Sequence, residues 1–343
     1  MEGRRVLHVL VYVLLSVILL SLGAEVIVRL FGFEPFINDC SSRIRIEPVD
    51  KLISEDPELG FVYPPGTYKA IFPSGYSHSF IILNGSTRVT RTISSYSGGE
   101  GGSGLWIFGC SYTFGESLED NETYAWLLQE TLPEYDVVNF GHMGYGTLQS
   151  LIQFRRALGE GDKPDIVIVS YASLHDDRNI LSRSRSKNVI TCRNFTLNLP
   201  FARFDGKKLE YGSGRLEYWT PPLIRYSALV NLVDDVYTIL EEGSFRGHDV
   251  SKALLLEFSR ISRGKGIVLV VAGMRSDPET VEMIQYLKGR GIHAVDVSDH
   301  GFDIKDFNQP HSWHPSPLAN RKYAGRLHEY LMENVFNGSG QMD

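Results

Sequence analysis

A serine flanked by glycines and a histidine followed by proline are the residues through which this 343-residue chain could do chemistry. The run Leu105-Trp106-Ile107-Phe108-Gly109-Cys110-Ser111-Tyr112-Thr113-Phe114-Gly115 carries an apolar strand into a turn. A side chain just past such a strand stands at the carboxyl edge of a sheet, where open α/β proteins hold their ligands. A serine hydroxyl is a weak nucleophile until a base takes its proton. His314, in His311-Ser312-Trp313-His314-Pro315, is that base if the fold closes the long interval between the two. In isolation, a serine after glycine more often caps a helix, and a histidine before proline is as often a turn residue as a catalytic one.

Two further blocks give the pair company. Val138-Asn139-Phe140-Gly141-His142-Met143-Gly144-Tyr145-Gly146-Thr147 offers backbone amides at glycines, where no side chain keeps an oxyanion away. Ser173-Leu174-His175-Asp176-Asp177-Arg178-Asn179 offers an imidazole beside two carboxylates. Each of the four blocks begins where a predicted strand or loop ends on one edge of a sheet.

The elements that must position them emerge from periodicity. Leu105–Gly109, Asp136–Phe140, Ile166–Tyr171, Ile267–Ala272 and Ile292–Val297 read as strands too apolar to face water on either side. Between them, Glu122–Leu132, Thr147–Leu158, Leu229–Glu241, Val250–Arg263, Glu279–Gly289 and Leu318–Val335 read as helices. Alternation of this kind implies right-handed crossovers and a parallel sheet covered on both faces, a three-layer α/β/α sandwich over residues 105–336. An insertion at about 178–225 breaks the rhythm. Within it, Asp205-Gly206 between two short alternating runs is a hairpin signal, and the insertion is either a cover for the site or an inert surface hairpin. Arg183, Arg185 and Lys187 in the same interval read as a solvated, Ser-rich connection.

Before the sandwich, Val6 to Ala24 is apolar and uncharged, close to the ~20 residues that cross a bilayer. Arg4 and Arg5 precede it, so the positive-inside bias leaves the N-terminus in the cytoplasm and the rest of the chain outside it. The rival is a cleaved secretory signal, although the apolar run exceeds the usual ~7–15 residues of such a segment. Both readings export the domain. Residues 1–31 are thus an expected anchor, and 32–104 a tether with a small antiparallel β addition, signalled by Tyr63-Pro64-Pro65-Gly66 and short alternating runs such as Arg88-Val89-Thr90-Arg91. The Gly/Ser stretch 97–104 reads as a joint, and 337–343 as a tail.

The four blocks together resemble the SGNH hydrolases, or GDSL esterase/lipase family, from about Leu105 to Leu331 with a gap at the insertion. The resemblance implies a flavodoxin-like sandwich, with Ser111 as nucleophile and His314 as general base. It also implies an oxyanion hole from the amides of Ser111 and Gly144, with no cofactor. Two departures stand out. Where the family offers an asparagine to the oxyanion, this chain has His175, whose neutral ring can donate one N–H. Where the family places its acid, two or three residues before the histidine, stand Ser312 and His311. Either a dyad operates or a carboxylate further back, Asp306 or Asp303, orients the imidazole.

Implied partners are the membrane, through residues 6–24, and an ester-bearing glycan or lipid, with acetyl groups on exported polysaccharide suggested by analogy. The same departures keep open a catalytically silent glycan-binding protein. A net charge of −7 without a basic stripe argues against nucleic acid. His300, His311 and His314 match no standard zinc spacing, so no metal is expected. Three cysteines suit an exported protein that does not rest on disulfides, Cys40 with Cys192 being the one pairing to name. Asn84, Asn121, Asn194 and Asn337 open glycosylation sequons if the source has a eukaryotic secretory route.

Overall fold

The structure is a computed structural model that describes residues 2–37, 44–49, 52–97, 103–161, 163–193, 197–298 and 304–337. It opens with helix α1 (Glu2–Leu30), whose apolar side chains are exposed. Five short strands come next: β1 (Arg45–Glu47), β2 (Ser54–Asp56), β3 (Gly60–Val62), β4 (Gly66–Ile71) and β5 (Ser77–Ile82). β4 pairs antiparallel with both β1 and β5, and β2 with β3, which is the expected small β addition. The stretch expected to be a tether is itself partly folded. β1 and β2 lie within it, and Arg156 holds Asp56 at 2.8 and 3.0 Å and Glu58 at 2.7 Å.

The sandwich comprises β6 (Ser103–Phe108), α2 (Ser111–Phe114), α3 (Tyr124–Thr131), β7 (Tyr135–Asn139), α4 (Thr147–Gly159), β8 (Ile166–Tyr171) and α5 (Leu174–Asn179). After it come α6 (Arg183–Arg193), β9 (Asn198–Phe204), β10 (Leu209–Arg215), α7 (Ala228–Phe245), α8 (Gly247–Gly264), β11 (Val268–Gly273), α9 (Pro278–Lys288), β12 (His293–Asp296) and α10 (Pro317–Leu331). The main sheet runs β12-β11-β8-β6-β7, all parallel. Counted within the sandwich this is the flavodoxin-like order 2-1-3-4-5, with its switch point between β6 and β8.

The strands read as continuous apolar runs because both faces are covered. Trp106, Phe108, Val167, Val169 and Val271 pack one way against α4, α8 and α9. Leu105, Ile107, Ile166, Ile168 and Val270 pack the other way against α3 and α10. A third, aromatic core unites the β addition with the site-bearing turns, since Phe61, Tyr63 and Phe80 share it with Phe114 and Tyr145.

Arg88 joins the two halves. Its backbone N–H donates to Asn139 O at 3.0 Å, so the addition continues past the edge strand β7. The guanidinium is fully buried between the rings of Phe80 and Phe114 and pairs with Asp120 at 2.7 Å. It also donates to Phe114 O, Gly115 O and Leu118 O at 2.7–2.8 Å. Phe114 and Gly115 end the one-turn helix that begins at Ser111, and Leu118 lies in the turn after it. A buried cation is tolerated only when its donors are met, and here every partner belongs to the nucleophile's turn or its neighbours.

The insertion departs from one expectation and keeps another. The hairpin forms at Asp205-Gly206, where Gly206 takes φ +97° and Asp205 Oδ1 accepts the N–H groups of Lys207 and Lys208 at 2.7 and 2.8 Å. It packs on the helical flank, with Ala202 in the core beside α4 and α8 and Leu199 against Gly60. The basic cluster is not a solvated connection. It is helix α6, with Arg183 bound to Asp234 (2.6 Å), Lys187 to Asp234 and Asp235 (both 2.9 Å) and Arg185 to Gly144 O (2.6 Å). The reason lies in α7, whose buried Asp234 meets both Arg183 and Lys187 and whose half-exposed Asp235 meets Lys187 as well. Cys40 and the Cys192 side chain lie outside the described residues, while Cys110 is a free, buried thiol.

Candidate active site

β6 ends at Phe108, and Gly109 lets the chain turn against its neighbours, because a Cβ there would lie 2.2 Å from Thr113 Oγ1. Gly141 serves the adjacent turn in the same way, its Cβ direction running into Phe114 N at 2.4 Å. The turn places Ser111 as first residue of α2. Among the described residues the amides of Ser111 and Tyr112 take no protein partner, as the first N–H groups of a helix do not.

His314 reaches Ser111 from the opposite end of the sequence, Nε2 to Oγ 3.0 Å. Its loop is fixed on both sides. Asn308 N–H donates to His314 O (2.9 Å), and Asn308 Nδ2 donates to Ser117 O (2.8 Å), tying the histidine loop to the serine loop. Behind it, Ser316 caps α10, and Asn320 Oδ1 accepts the Tyr124 N–H (3.0 Å), which binds α10 to α3. Tyr112 meets the imidazole edge-on at 5.9 Å between ring centres.

The expected acid lies elsewhere. Asp306 is buried and its Oδ1 meets Lys322 Nζ at 2.7 Å; His314 makes no hydrogen bond to it. Asp303 lies outside the described residues. His314 Nδ1 instead meets the hydroxyl of Ser312 at 2.9 Å, and that oxygen also accepts the His314 backbone N–H at 3.3 Å. An oxygen that accepts Nδ1–H leaves Nε2 free to accept the Ser111 proton, which is the tautomer a general base needs. The carboxylate within reach is Glu116, whose Oε2 lies 3.1 Å from Nε2. It stands five residues after the nucleophile, just past the glycine that closes α2, and sequence reasoning gave it no role.

On the neighbouring strand ends, Gly144 takes φ +84°, a conformation that side chains resist. Its carbonyl is held by Arg185, the next carbonyl, of Tyr145, is held by Arg178 at 2.9 Å, and its own N–H takes no protein partner among the described residues. His175 lies in the first turn of α5 and is fully buried. Its Nδ1 lies 3.1 Å from Thr147 Oγ1, and its Nε2 has no partner. Burial, reinforced by the positive charges of Arg178 and Arg185, drives its pKa well below the usual range and keeps the ring neutral. When the Thr147 hydroxyl donates to Nδ1, the ring proton sits on Nε2 as a free donor.

The other histidines do separate work. His142 stacks between Tyr63 and Tyr145 with Nε2 2.7 Å from Ser86 Oγ, and His311 stacks on Tyr76 with Nδ1 2.9 Å from Ser74 Oγ. Among the described residues no group of three His, Cys, Asp or Glu side chains could hold a metal.

Buried neutral histidines make acid costly. Burial depresses His142 to about 4 and His78 to about 3, and His175 falls in the same direction. Below about pH 6.5 the unfolded chain binds protons that the folded chain refuses, so stability falls with pH by up to about 1.4 kcal/mol per unit for each ring. Urea midpoints should therefore drop between pH 7.5 and pH 5. Superimposable curves at the two values would show that these rings do not set acid stability.

Fold and site together define a three-layer α/β sandwich carrying a serine–histidine pair at the carboxyl edge of its sheet. Among solved structures, the chain is similar to a member of the lipolytic G-D-S-L family from Veillonella parvula. The identity is 10%, 68% of this chain and 98% of that one are covered, and the TM-score is 0.37. It is also similar to an alpha/beta hydrolase enzyme from the metagenome of Lake Arreo, Spain (14% identity, 67% and 94% covered, TM-score 0.40). A third is a two-domain esterase active on acetylated mannans (12% identity, 68% and 49% covered, TM-score 0.38). No family model and no curated protein matches the chain.

Proposed function

We propose that this chain is a serine esterase or O-acyltransferase of the SGNH type, held outside the cytoplasm by α1 and acting on an ester of a glycan or lipid. The observation that carries the proposal is the 3.0 Å approach of His314 Nε2 to Ser111 Oγ beside amides that no protein group occupies.

In this reading Ser111 Oγ attacks the ester carbonyl as its proton passes to His314 Nε2. The tetrahedral oxygen then sits among the Ser111 and Gly144 amides and the N–H of His175. His314 returns the proton to the departing alcohol, leaving an acyl group on Ser111. Water or an acceptor hydroxyl, deprotonated by His314, completes the cycle as hydrolase or transferase. Ser312 holds the ring orientation, and Glu116 supplies the charge that faces the imidazolium.

Incubation with p-nitrophenyl acetate and then an acid quench should leave an acetyl group on the peptide containing Ser111, read by mass spectrometry. An unmodified peptide, with no release of nitrophenol, sinks the proposal. The uncharged partner of Nδ1 favours a second reading, a silent glycan-binding protein, which that same result would support.

The two unexpected neighbours of His314 separate by mutation. Ser312→Ala should lower kcat about tenfold with KM little changed, because a misoriented base weakens only the transition state. Glu116→Gln should lower kcat by about 10–100-fold if its charge stabilises the imidazolium. An unchanged or raised kcat in Glu116→Gln would remove Glu116 from the mechanism.

A further inference from the structure

Helix α7 is amphipathic the wrong way round. Its polar side faces the protein: Asp234 and Thr238 are buried, Asp234 is bound by Arg183, Lys187 and the Tyr218 hydroxyl (2.8 Å), and Glu242 accepts the Ser184 N–H (2.7 Å). Its apolar side faces out: Val233, Val236, Tyr237, Ile239 and Leu240 are 48–69% exposed. At about 100° per residue these side chains share one arc, the stripe an ordinary surface helix turns toward its core. A contiguous apolar face of this kind marks a surface that something apolar covers.

The end of α1 identifies what covers it. Glu25 accepts from Ser227 Oγ (2.6 Å) and from the N–H groups of Ala228 and Leu229 (both 2.9 Å), and Arg29 donates to Tyr226 O (2.7 Å), so α1 is fastened to the first turn of α7. One turn and more further back, Leu19 and Leu20 are 69% and 74% exposed, so the apolar length of α1 stands clear of the folded domain on that side. The apolar helix Arg4–Leu30 has 27 residues, about 40 Å at 1.5 Å each, against a hydrocarbon layer of about 30 Å. With Arg4 and Arg5 at the cytoplasmic surface, Glu25 and the start of α7 fall in the outer headgroup layer. Trp219 and Tyr226, both exposed just before α7, are the residue types that this layer collects.

We propose that α7 lies on the outer leaflet as an interfacial helix, its Val233–Val236–Leu240 arc set into the acyl boundary and its acidic side held by α6. This rests on the reading of α1 as a membrane span. The occupant is lipid, because the arc continues from a helix whose own surroundings are lipid.

The test uses the full chain reconstituted in phosphatidylcholine/phosphatidylglycerol vesicles, with p-benzoylphenylalanine replacing Leu240 or, as control, the exposed Lys207 of the hairpin. Illumination should give phospholipid adducts at position 240 about tenfold above those at 207. Equal yields, or a crosslink from 240 to a second copy instead of lipid, would overturn the proposal. A carbonate wash separates the two premises. A chain that washes off the vesicles removes the anchor, whereas a retained chain without lipid adducts at 240 removes only the interfacial role of α7.

Discussion

Ser111→Ala should lower ester turnover by at least about 10³-fold while leaving the fold intact, and His314→Ala should do the same. In the proposed mechanism the serine supplies the bond-forming oxygen, and the histidine 3.0 Å away takes its proton. Because the two act as one device, the double variant should be no worse than either single one. The checks are steady-state release of nitrophenol, labelling by a fluorophosphonate, and circular dichroism to confirm folding. Turnover that survives Ser111→Ala within a few fold would mean that the oxygen attacking the ester comes from elsewhere. Labelling in the wild type that persists in the variant would say the same.

Arg88→Met should destabilise the chain by about 3–5 kcal/mol, the usual cost of breaking a buried ion pair from one side. The substitution leaves Asp120 without its cation and takes donors from Phe114 O, Gly115 O and Leu118 O. Adding Asp120→Asn should recover part of that loss, because the stranded charge is then gone. Thermal unfolding in detergent reads both. Since two of these carbonyls, of Phe114 and Gly115, close the turn that starts at Ser111, residual folded protein should also show a lower kcat. A loss below about 1 kcal/mol would place Arg88 among surface ion pairs and refute its role as the joint between the two halves.

The sandwich was legible in the sequence because its five strands read as unbroken apolar runs; Ile166–Tyr171 has the expected bounds, and the others differ from theirs by one or two residues. Helices α5 and α6 were not legible. Leu174–Asn179 is too short for a period, and Arg183–Arg193 is polar almost throughout, its helix resting on ion pairs to residues about fifty positions away. For α7 the period was readable, but not which side turns outward, since the inward partners lie on another element. Ser111, Gly144 and His314 were readable as candidates because each ends a strand or loop in a recognisable block, and the structure places the first and last 3.0 Å apart. Asp306 was one alternative for the group orienting the imidazole, beside Asp303 or none, yet a lysine sixteen residues on in α10 takes it. Ser312 and Glu116 reach His314 through loop conformations that leave no periodic trace.

The bonds from Glu25 to the start of α7 carry a mechanical consequence. If α1 spans a membrane as proposed, a domain bolted through three hydrogen bonds at the exit of that helix keeps a fixed bearing, where one on a slack leash samples every bearing. Under that proposal the rim that bears Ser111 works at one height and one tilt above the bilayer, so esters are sorted by where they ride as well as by their shape.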